Sequence, residues 1–325
     1  MSDSSVQHLV FVRLRCRIQA ETPLRLPEFS GSALRGGFGM ALRKTACAQP
    51  QRSVCGDCLL RRQCVYSLIF ETPVPENSEL LRRCTAAPHP FVLEPPEDGP
   101  QELPPGGELD FGLTLIGRAI DLLPWFLLAF EELGRSGLGG KVGGRRGRFR
   151  LISVRQGERV LYQQGKLTAN PLPEAAPSAF PACGSLRVLF HTPARIKYQE
   201  YFTERLDFHI LFRSLLRRIS LLSFFHCGQR LDDSGFADLI RQAESIVTVS
   251  HELRWHEQER WSGRQKARMQ FGGLVGAAVY QGQLAPFLPY LALGEALHCG
   301  KGCTFGLGRC SVEWLGQQEE NACKK

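Results

Sequence analysis

Four cysteines lie close together in a polar, arginine-rich segment of the first quarter of the chain. They are Cys47, Cys55, Cys58 and Cys64, with the spacing C-x7-C-x2-C-x5-C. Two thiolates separated by two residues can both face one ion, so the pattern is typical of a site with four sulfur ligands. We expect a structural metal there, zinc ahead of a [4Fe–4S] cluster, since both accept four thiolates. Four unrelated free thiols are the alternative interpretation.

A glycine-rich loop near the C-terminus is the second stretch that could do chemistry. Residues 298–309 read H-C-G-K-G-C-T-F-G-L-G-R, and their glycines are Gly300, Gly302, Gly306 and Gly308. Glycine lets the backbone approach a ligand closely, and two cations, Lys301 and Arg309, lie among them. The loop runs from a predicted helix at 284–297 into a predicted strand at 310–315. P-loop and dinucleotide glycines have the opposite order, strand to helix. The loop therefore predicts contact with a polyanion, against the alternative of an ordinary turn with surface charges.

A second glycine-rich basic segment repeats this arrangement earlier in the chain. Residues 137–148 carry Arg145, Arg146 and Arg148. A helix predicted at 120–133 leads into this segment, and a strand predicted at 149–154 follows it. Because both copies place helix, glycine-rich loop and strand in one order, we interpret them as parts of a duplicated unit.

Composition and charge narrow the class of protein. At 325 residues the chain predicts two domains, and 43% hydrophobic residues supply packed cores. Lys and Arg number 40 against 32 Asp and Glu, a formal charge of +8, which favours a polyanionic partner or an acidic membrane surface. The N-terminus has no basic leader before an apolar core, and the most apolar run, 120–133, is too short to span a bilayer. We expect a soluble, cytoplasmic protein.

The elements that must position these residues follow from periodicity. A strand is predicted at 8–18 with one basic face, and a helix at 30–44 with the sequence S-A-L-R-G-G-F-G near its start. Gly36, Gly37 and Gly39 inside that helix indicate that another backbone or a ligand packs against it. Residues 65–72 read as a strand. The second half predicts a strand at 186–191, a helix at 208–226 and strands near 247–255 and 269–280.

Between its two helices the first half also predicts strands at 91–94 and 109–116. Both halves thus give the order strand, helix, two strands, helix, strand. This predicts an α+β fold of two tandem ferredoxin-like (β-α-β-β-α-β) domains, with a Cys-rich insertion in the first. We place the first domain at 1–155, a Pro-rich linker at 156–185 and the second domain at 186–325.

These features resemble the RAMP superfamily of CRISPR-associated proteins, and within it the family that processes precursor CRISPR RNA by cutting inside the repeat. The resemblance lies in the terminal G-x-G-x-x-x-G-x-G-R loop, the L-R-G helix and the run R-Q-K-A-R at 264–268. It implies an endoribonuclease that needs no metal for catalysis. The ribose 2′-hydroxyl attacks the adjacent phosphate and leaves a 2′,3′-cyclic phosphate and a 5′-hydroxyl. The implied partners are CRISPR repeat RNA and other CRISPR effector subunits, without a membrane.

Such cleavage needs a general base and cations, and the sequence offers candidates for each. The candidate RNA-binding residues are Arg35, Arg43, Lys44, Arg145, Arg146, Arg148, Arg264, Lys266, Arg268, Gly300, Lys301, Gly302, Gly306, Gly308 and Arg309. Several members of the family use a histidine on or just after the first helix as base, but this chain has none between His8 and His89. We therefore assign the base by position to His298, with Tyr198 and His226 as lesser candidates.

Two other functions remain compatible with the residues. One is a non-catalytic RNA-binding subunit of a CRISPR effector complex, which needs the basic surfaces but no base. The other is a nucleic-acid-binding regulator in which Cys55 and Cys58 act as a redox sensor.

Overall fold

The computed structural model describes residues 8–51, 54–74, 87–96, 101–177, 179–180, 184–231, 234–262 and 267–315, with the backbone alone at 101 and 260–269. These residues form two compact units. The first comprises residues 11–174, and the second comprises residues 8–10 with the described residues from 175 onward. Within the described ranges, no helix combines the length and apolar character needed to cross a membrane.

The first unit is built on a six-stranded antiparallel sheet with the order β10-β9-β8-β1-β5-β3. A second sheet has the order β4-β2-β6-β7. The elements of the unit are β1 (Phe11–Ala20), β2 (Leu24–Leu26), α1 (Gly31–Ala46), β3 (Phe91–Glu94), β4 (Gln101–Leu103), β5 (Glu108–Ile116), α2 (Leu123–Ser136), β6 (Leu138–Val142), β7 (Arg145–Gly147), β8 (Phe149–Gln156), β9 (Arg159–Gln163) and β10 (Lys166–Leu167). Along β1, buried and exposed residues alternate, and the exposed ones include Arg13, Arg15 and Arg17. The basic face predicted for this strand is confirmed.

Helix α1 packs closely through its glycines. A Cβ at Gly37 would lie 2.5 Å from Leu133 on α2, and one at Gly39 would lie 2.4 Å from the ring of Phe70. The ring of Phe38 on the same helix is buried and lies 5.1 Å from that of Phe126. The close packing predicted against this helix is present at Gly37 and Gly39, where the approaching groups are the side chains of Leu133 and Phe70.

Residues 65–71 are helical, so the strand predicted at 65–72 is wrong. Leu68 N–H bonds to the carbonyl of Cys64, and Thr72 N–H to that of Ser67 five residues back, which closes a π-helical turn at Ser67–Glu71. The aromatic and β-branched run is typical of a strand, yet the rings of Tyr66 and Phe70 stack at 5.5 Å along the helix. A short apolar run does not by itself separate the two structures.

Two segments expected to be irregular carry strands instead. The glycine-rich segment 137–148 forms the hairpin β6-β7, with Gly143 and Gly144 at its turn at positive φ. The segment 156–185, predicted as a linker, begins with β9 and β10, which extend the six-stranded sheet. Only the part of that segment beyond β10 lacks extended pairing among the described residues.

The second unit contains a four-stranded antiparallel sheet with the order β14-β17-β11-β18 and two short hairpins, β12-β13 and β15-β16. Its elements are β11 (Ser185–Ala194), β12 (Lys197–Tyr198), β13 (Tyr201–Phe202), α3 (Phe208–Leu222), α4 (Phe236–Glu244), β14 (Val247–His256), β15 (Glu259–Ser262), β16 (Ala267–Gln270), β17 (Gly273–Gln281), α5 (Leu288–Leu297) and β18 (Cys310–Leu315). Rings of Phe208, Phe212, Phe287 and Tyr290 pack edge to face where α3 meets the start of α5. The protein is thus an α+β chain with several antiparallel sheets, which is consistent with two tandem ferredoxin-like domains.

Candidate functional site

The glycine-rich loop of the second unit closes on its own strand. Cys299 N–H donates to the carbonyl of Gly308 at 2.8 Å, and Gly308 N–H donates to that of Pro193 at 3.0 Å. Lys301 N–H donates to the carbonyl of Arg195 at 2.9 Å. The sequence interpretation made the loop a flexible backbone with amides available to a polyanion. These three amides bond within the unit instead, so they are not available to a ligand.

Thr192 at the end of β11 secures the far side of the loop. Its hydroxyl donates to the carbonyl of Gly306 at 2.7 Å and accepts from Arg309 N–H at 2.9 Å. The glycines serve this packing: Gly308 has φ +70°, and a Cβ there would lie 1.8 Å from the carbonyl oxygen of Cys299. Gly302 and Gly306 also have positive φ, at 84° and 86°. The glycine spacing therefore encodes the shape of the loop.

His298 and Tyr198, the candidate bases, lie in different surroundings. His298 ends α5 with φ 62° and is fully buried, with Nδ1 3.1 Å from the carbonyl oxygen of Leu307. That position favours a role in holding the loop. Tyr198 is half-buried and meets the ring of His209 edge to face at 5.6 Å. His226 is buried in the turn after α3.

Several cations converge beside the loop. Lys301 is exposed, and its pKa is lowered from its ordinary value, first by partial burial and then by the positive charges of Lys197 and Arg217. Arg195 lowers it further, while Glu200 opposes the shift. We call Lys197, Arg217, Lys301 and Arg195 the loop cation cluster. Of these four residues, the sequence analysis selected only Lys301 as a binding residue. The run R-I-K-Y at 195–198, just after a strand, could have indicated Arg195 and Lys197 as well.

Arg195 links the loop to the hairpin β15-β16. Its carbonyl accepts from Lys301 N–H, and its Nη1 donates to the carbonyls of Gln270 and Gly272 at 3.1 and 2.8 Å. The guanidinium lies 4.4 Å from the centre of the Phe202 ring. This hairpin carries the basic run identified in the sequence. Arg264 and Lys266 lie outside the described residues, and the backbone of Arg268 pairs with Trp261.

The candidate cations of the first unit fall into three settings. Arg145, Arg146 and Arg148 are exposed on and beside β7. Lys44 is bound by Glu132 on α2. Arg35 and Arg43 lie against aromatic rings.

Arg35 contacts a histidine that sequence reasoning did not select. Its Nη2 lies 3.3 Å from Nε2 of His89, just before β3, and its guanidinium lies 4.4 Å from the centre of the Phe70 ring. Arg43, two turns further along α1, lies 5.8 Å from the ring of Tyr66. Because 54 positions separate Arg35 from His89, no local pattern joins them.

The four clustered cysteines are all half-buried. The pKa of the Cys55 thiol is raised, first by burial and then by Glu71, and the nearby Cys47 and Cys64 thiols raise it further. Within the described ranges, no group of three or more His, Cys, Asp or Glu side chains is arranged to hold a metal ion. The metal site therefore stays a prediction. Cys299, Cys303 and Cys310 are buried under the glycine-rich loop, as small apolar fillers would be.

The two units match different family models. Residues 9–174 match the AF_1859 N-terminal domain, and residues 188–310 match the CRISPR-associated endoribonuclease Cas6. An uncharacterized protein of Archaeoglobus fulgidus is 24% identical over 312 residues, which is 92% of this chain and 96% of that protein.

Solved Cas6 structures share the fold. Thermus thermophilus Cas6 is similar with a TM-score of 0.53 at 16% identity, over 94% of this chain and 99% of that one. A product complex of that Cas6 gives a TM-score of 0.56 at 17% identity, with the same coverage. At these identities the likeness speaks for the fold alone. The first family model matches about half of the chain, and the second matches residues 188–310 in the C-terminal part. The chain therefore belongs to the AF_1859 N-terminal domain family and is a Cas6-like CRISPR RNA-processing endoribonuclease.

Proposed function

We propose that this endoribonuclease binds CRISPR repeat RNA and cuts it within the repeat by metal-independent attack of a ribose 2′-hydroxyl. The products are a 2′,3′-cyclic phosphate and a 5′-hydroxyl. The observation that supports the RNA-binding part best is the loop cation cluster in the unit that matches Cas6.

The cluster suits a phosphate backbone on electrostatic grounds. Lys197, Arg217 and Lys301 are exposed, and repulsion from Lys197 and Arg217 lowers the pKa of Lys301 while Glu200 opposes the shift. A bound phosphate would relieve that repulsion and favour protonated Lys301, so binding is coupled to charge neutralisation. Contacts of this kind position the RNA, while base edges and stacking specify the repeat.

The hairpin β15-β16 fits the same function. Arg195 bonds to the carbonyls of Gln270, at the end of β16, and of Gly272, so this end of the hairpin is held beside the glycine-rich loop. Arg264, Lys266 and Arg268 are our candidates for further phosphate contacts. Fixing the base of a charged arm lowers the entropy lost when the arm binds.

We further propose that both units are ferredoxin-like domains and that the cysteine segment is an insertion in the first. Cys47, Cys55, Cys58 and Cys64 would hold one structural metal ion, zinc ahead of a [4Fe–4S] cluster. The spacing of the four thiols and the closeness of Cys47 and Cys64 to Cys55 support this. The ion would stabilise the segment between α1 and the π-helical turn and take no part in cleavage.

The deciding experiment uses purified full-length chain with the repeat RNA of its own genome, in EDTA. A matched RNA carries a 2′-deoxy sugar at the cleavage position. We expect cutting of the first RNA only, with a cyclic phosphate on the upstream product. Tight binding without cutting would instead favour a non-catalytic subunit that carries the RNA, and cutting of the deoxy RNA would exclude attack by the 2′-hydroxyl.

A further inference from the structure

His89 is the sole histidine in the sequence of the first unit, and one edge of its ring faces an arginine. Its Nε2 atom lies 3.3 Å from Arg35 Nη2. An arginine side chain can only donate hydrogen bonds, so in a hydrogen bond between the two the histidine nitrogen accepts. Nδ1, on the other side of the ring, lies 3.5 Å from the hydroxyl of Thr72. A ring nitrogen that can accept a proton therefore lies beside a permanent positive charge.

Two aromatic rings pack against this imidazole. The centroid of the His89 ring lies 5.8 Å from that of Phe70 and 6.0 Å from that of Phe91, and the two phenyl centroids lie 6.1 Å apart, so the three rings form a triangle. Phe70 also stacks on Tyr66 and lies under Arg35. We call Tyr66, Phe70, His89 and Phe91 the aromatic cluster. A ring fixed in this way presents one edge in a constant direction, which proton transfer requires.

The aromatic cluster is open to solvent at the edge where Arg35 and His89 meet. Arg35 and His89 are both half-buried, and Gly36, next to Arg35, is exposed with no other group within 4 Å of where a Cβ would lie. A nucleic acid can therefore approach the Arg35 and His89 edge. The rest of the cluster is buried at Tyr66 and Phe91, so that side is closed.

We infer that His89 is the general base of RNA cleavage and that Arg35 binds the scissile phosphate. The assignment rests on the proposed function. A guanidinium binds a phosphate through two parallel hydrogen bonds, which would place the neighbouring 2′-hydroxyl near Nε2 of His89. His89 takes the 2′-hydroxyl proton as the 2′-oxygen bonds to phosphorus. The bond from phosphorus to the 5′-oxygen breaks, and that oxygen takes a proton from water.

A competing explanation makes the pair purely structural, with Arg35 and His89 joining α1 to the start of β3. That role predicts a loss of stability on substitution, with the chemical step intact once the RNA is bound. The catalytic role predicts a slower chemical step with the stability of the protein retained. Single-turnover cleavage at saturating protein separates the two, because it measures the chemical step free of affinity.

The experiment compares the full chain with His89→Ala, His89→Gln and the control His256→Ala, an exposed histidine on β14. Affinity is measured on 2′-deoxy repeat RNA and cleavage on the all-ribose RNA. We expect His89→Ala to cut at least ~100-fold more slowly with affinity within ~3-fold, and added imidazole to restore at least ~10-fold. His256→Ala should match the wild type in both. Rescue by imidazole is the readout that a structural residue would not give.

His89→Gln covers the case in which His89→Ala does not fold. Glutamine keeps an acceptor for Arg35 but cannot take a proton, so it should fold, bind and cut as slowly as alanine. Cutting by either variant within ~3-fold of the wild-type chain overturns the assignment and leaves the proposed function in place. A wild-type chain that binds without cutting overturns both.

Discussion

Lys44 Nζ donates a hydrogen bond to Oε1 of Glu132, which joins the last turn of α1 to α2 across 88 residues of sequence. The same carboxylate accepts from Ser136 and from Arg135. Glu132 is 8% exposed, and its pKa is lowered, first by the bond from Lys44 and then by the bond from Ser136. Lys44, expected from the sequence to contact RNA, is thus held by the protein itself.

Replacement of Glu132 by glutamine should therefore destabilise the first unit. Because Lys44 is largely exposed, we expect a loss of only about 1 kcal/mol in the free energy of unfolding at neutral pH. A carboxylate with a lowered folded pKa contributes its stability above the unfolded pKa and loses it as the pH falls through the folded value. Urea titrations at several pH values should show the two proteins converging in acid.

Glu158→Gln is the matched control for that prediction. Glu158 lies 4.0 Å from Arg155 and is fully exposed, so its loss should leave the free energy of unfolding close to that of the wild type. An equal effect from both substitutions would contradict the role given to Glu132.

The glycines of α1 should respond in opposite directions to alanine. Gly36→Ala meets open space, so it should stabilise the helix by roughly 0.5–1 kcal/mol. Gly39→Ala would place a methyl 2.4 Å from the ring of Phe70 and should cost about 1–3 kcal/mol through overpacking. Thermal unfolding of the two variants checks the pair, and a Gly39→Ala protein as stable as Gly36→Ala would refute the packing argument.

In the glycine-rich loop, Gly308→Ala should be among the most damaging single changes. Its Cβ would overlap the carbonyl oxygen of Cys299 at 1.8 Å, so we expect more than about 2 kcal/mol of destabilisation and weaker RNA binding. Gly143→Ala, at φ +58° with nothing within 4 Å, isolates the backbone strain and should cost about 1 kcal/mol. Denaturant unfolding measures the free energy of unfolding of both variants. An equal loss in the two would show that the structure relieves the overlap at Gly308.

Lys301 should make RNA binding weaker at alkaline pH. Its pKa is lowered, first by partial burial and then by Lys197 and Arg217, and a phosphate prefers the protonated amine. Affinity should therefore fall as the pH rises through the lowered pKa. Lys301→Arg should abolish this fall because a guanidinium keeps its charge, and Lys301→Ala should reduce the salt dependence by about one charge.

Lys166→Ala provides the comparison, since Lys166 is exposed on β10 in the other unit. Filter binding between pH 7 and pH 10 should leave this variant close to the wild type. If Lys301→Arg keeps the alkaline loss of affinity, another group is responsible for it.

Metal content tests the cysteine prediction. We expect about one zinc per purified chain, lost in Cys55→Ser and in Cys58→Ser. Cys227→Ser should retain it, because Cys227 lies outside the cluster. Elemental analysis of the wild-type chain and the three variants tests this prediction. If wild-type chain purified with zinc in the medium contains no metal, the predicted site does not exist.

Much of the fold could be read from local pattern. The alternation of apolar and polar residues in β1 and the glycines of α1 each indicate which side of the element is packed. Gly39, for example, indicates a close neighbour but does not identify it. The prediction for residues 65–72 was wrong because a short run containing Tyr66, Ile69 and Phe70 fits the periodicity of a helix as well as that of a strand. Packing of Phe70 on Gly39 decides between them, and that contact is tertiary.

The candidate site was harder to predict than the fold for the same reason. The glycine spacing in residues 298–309 marked the right loop, but it could not reveal that carbonyls of Arg195 and Cys299 occupy the space beside Gly300 and Gly308. The contact between Arg35 and His89 depends on how α1 lies against β3. A histidine beyond the cysteine segment therefore gave no local signal.

The closure of the glycine-rich loop on its own strand also bears on how such a chain can diversify. Substitutions at Gly300 and Gly308 are eliminated by backbone overlap, whatever RNA the protein meets. The exposed cations Lys197, Arg217 and Lys301 carry no such packing constraint. A lineage can therefore adjust the strength of phosphate binding by exchanging surface side chains while the loop that supports them changes little.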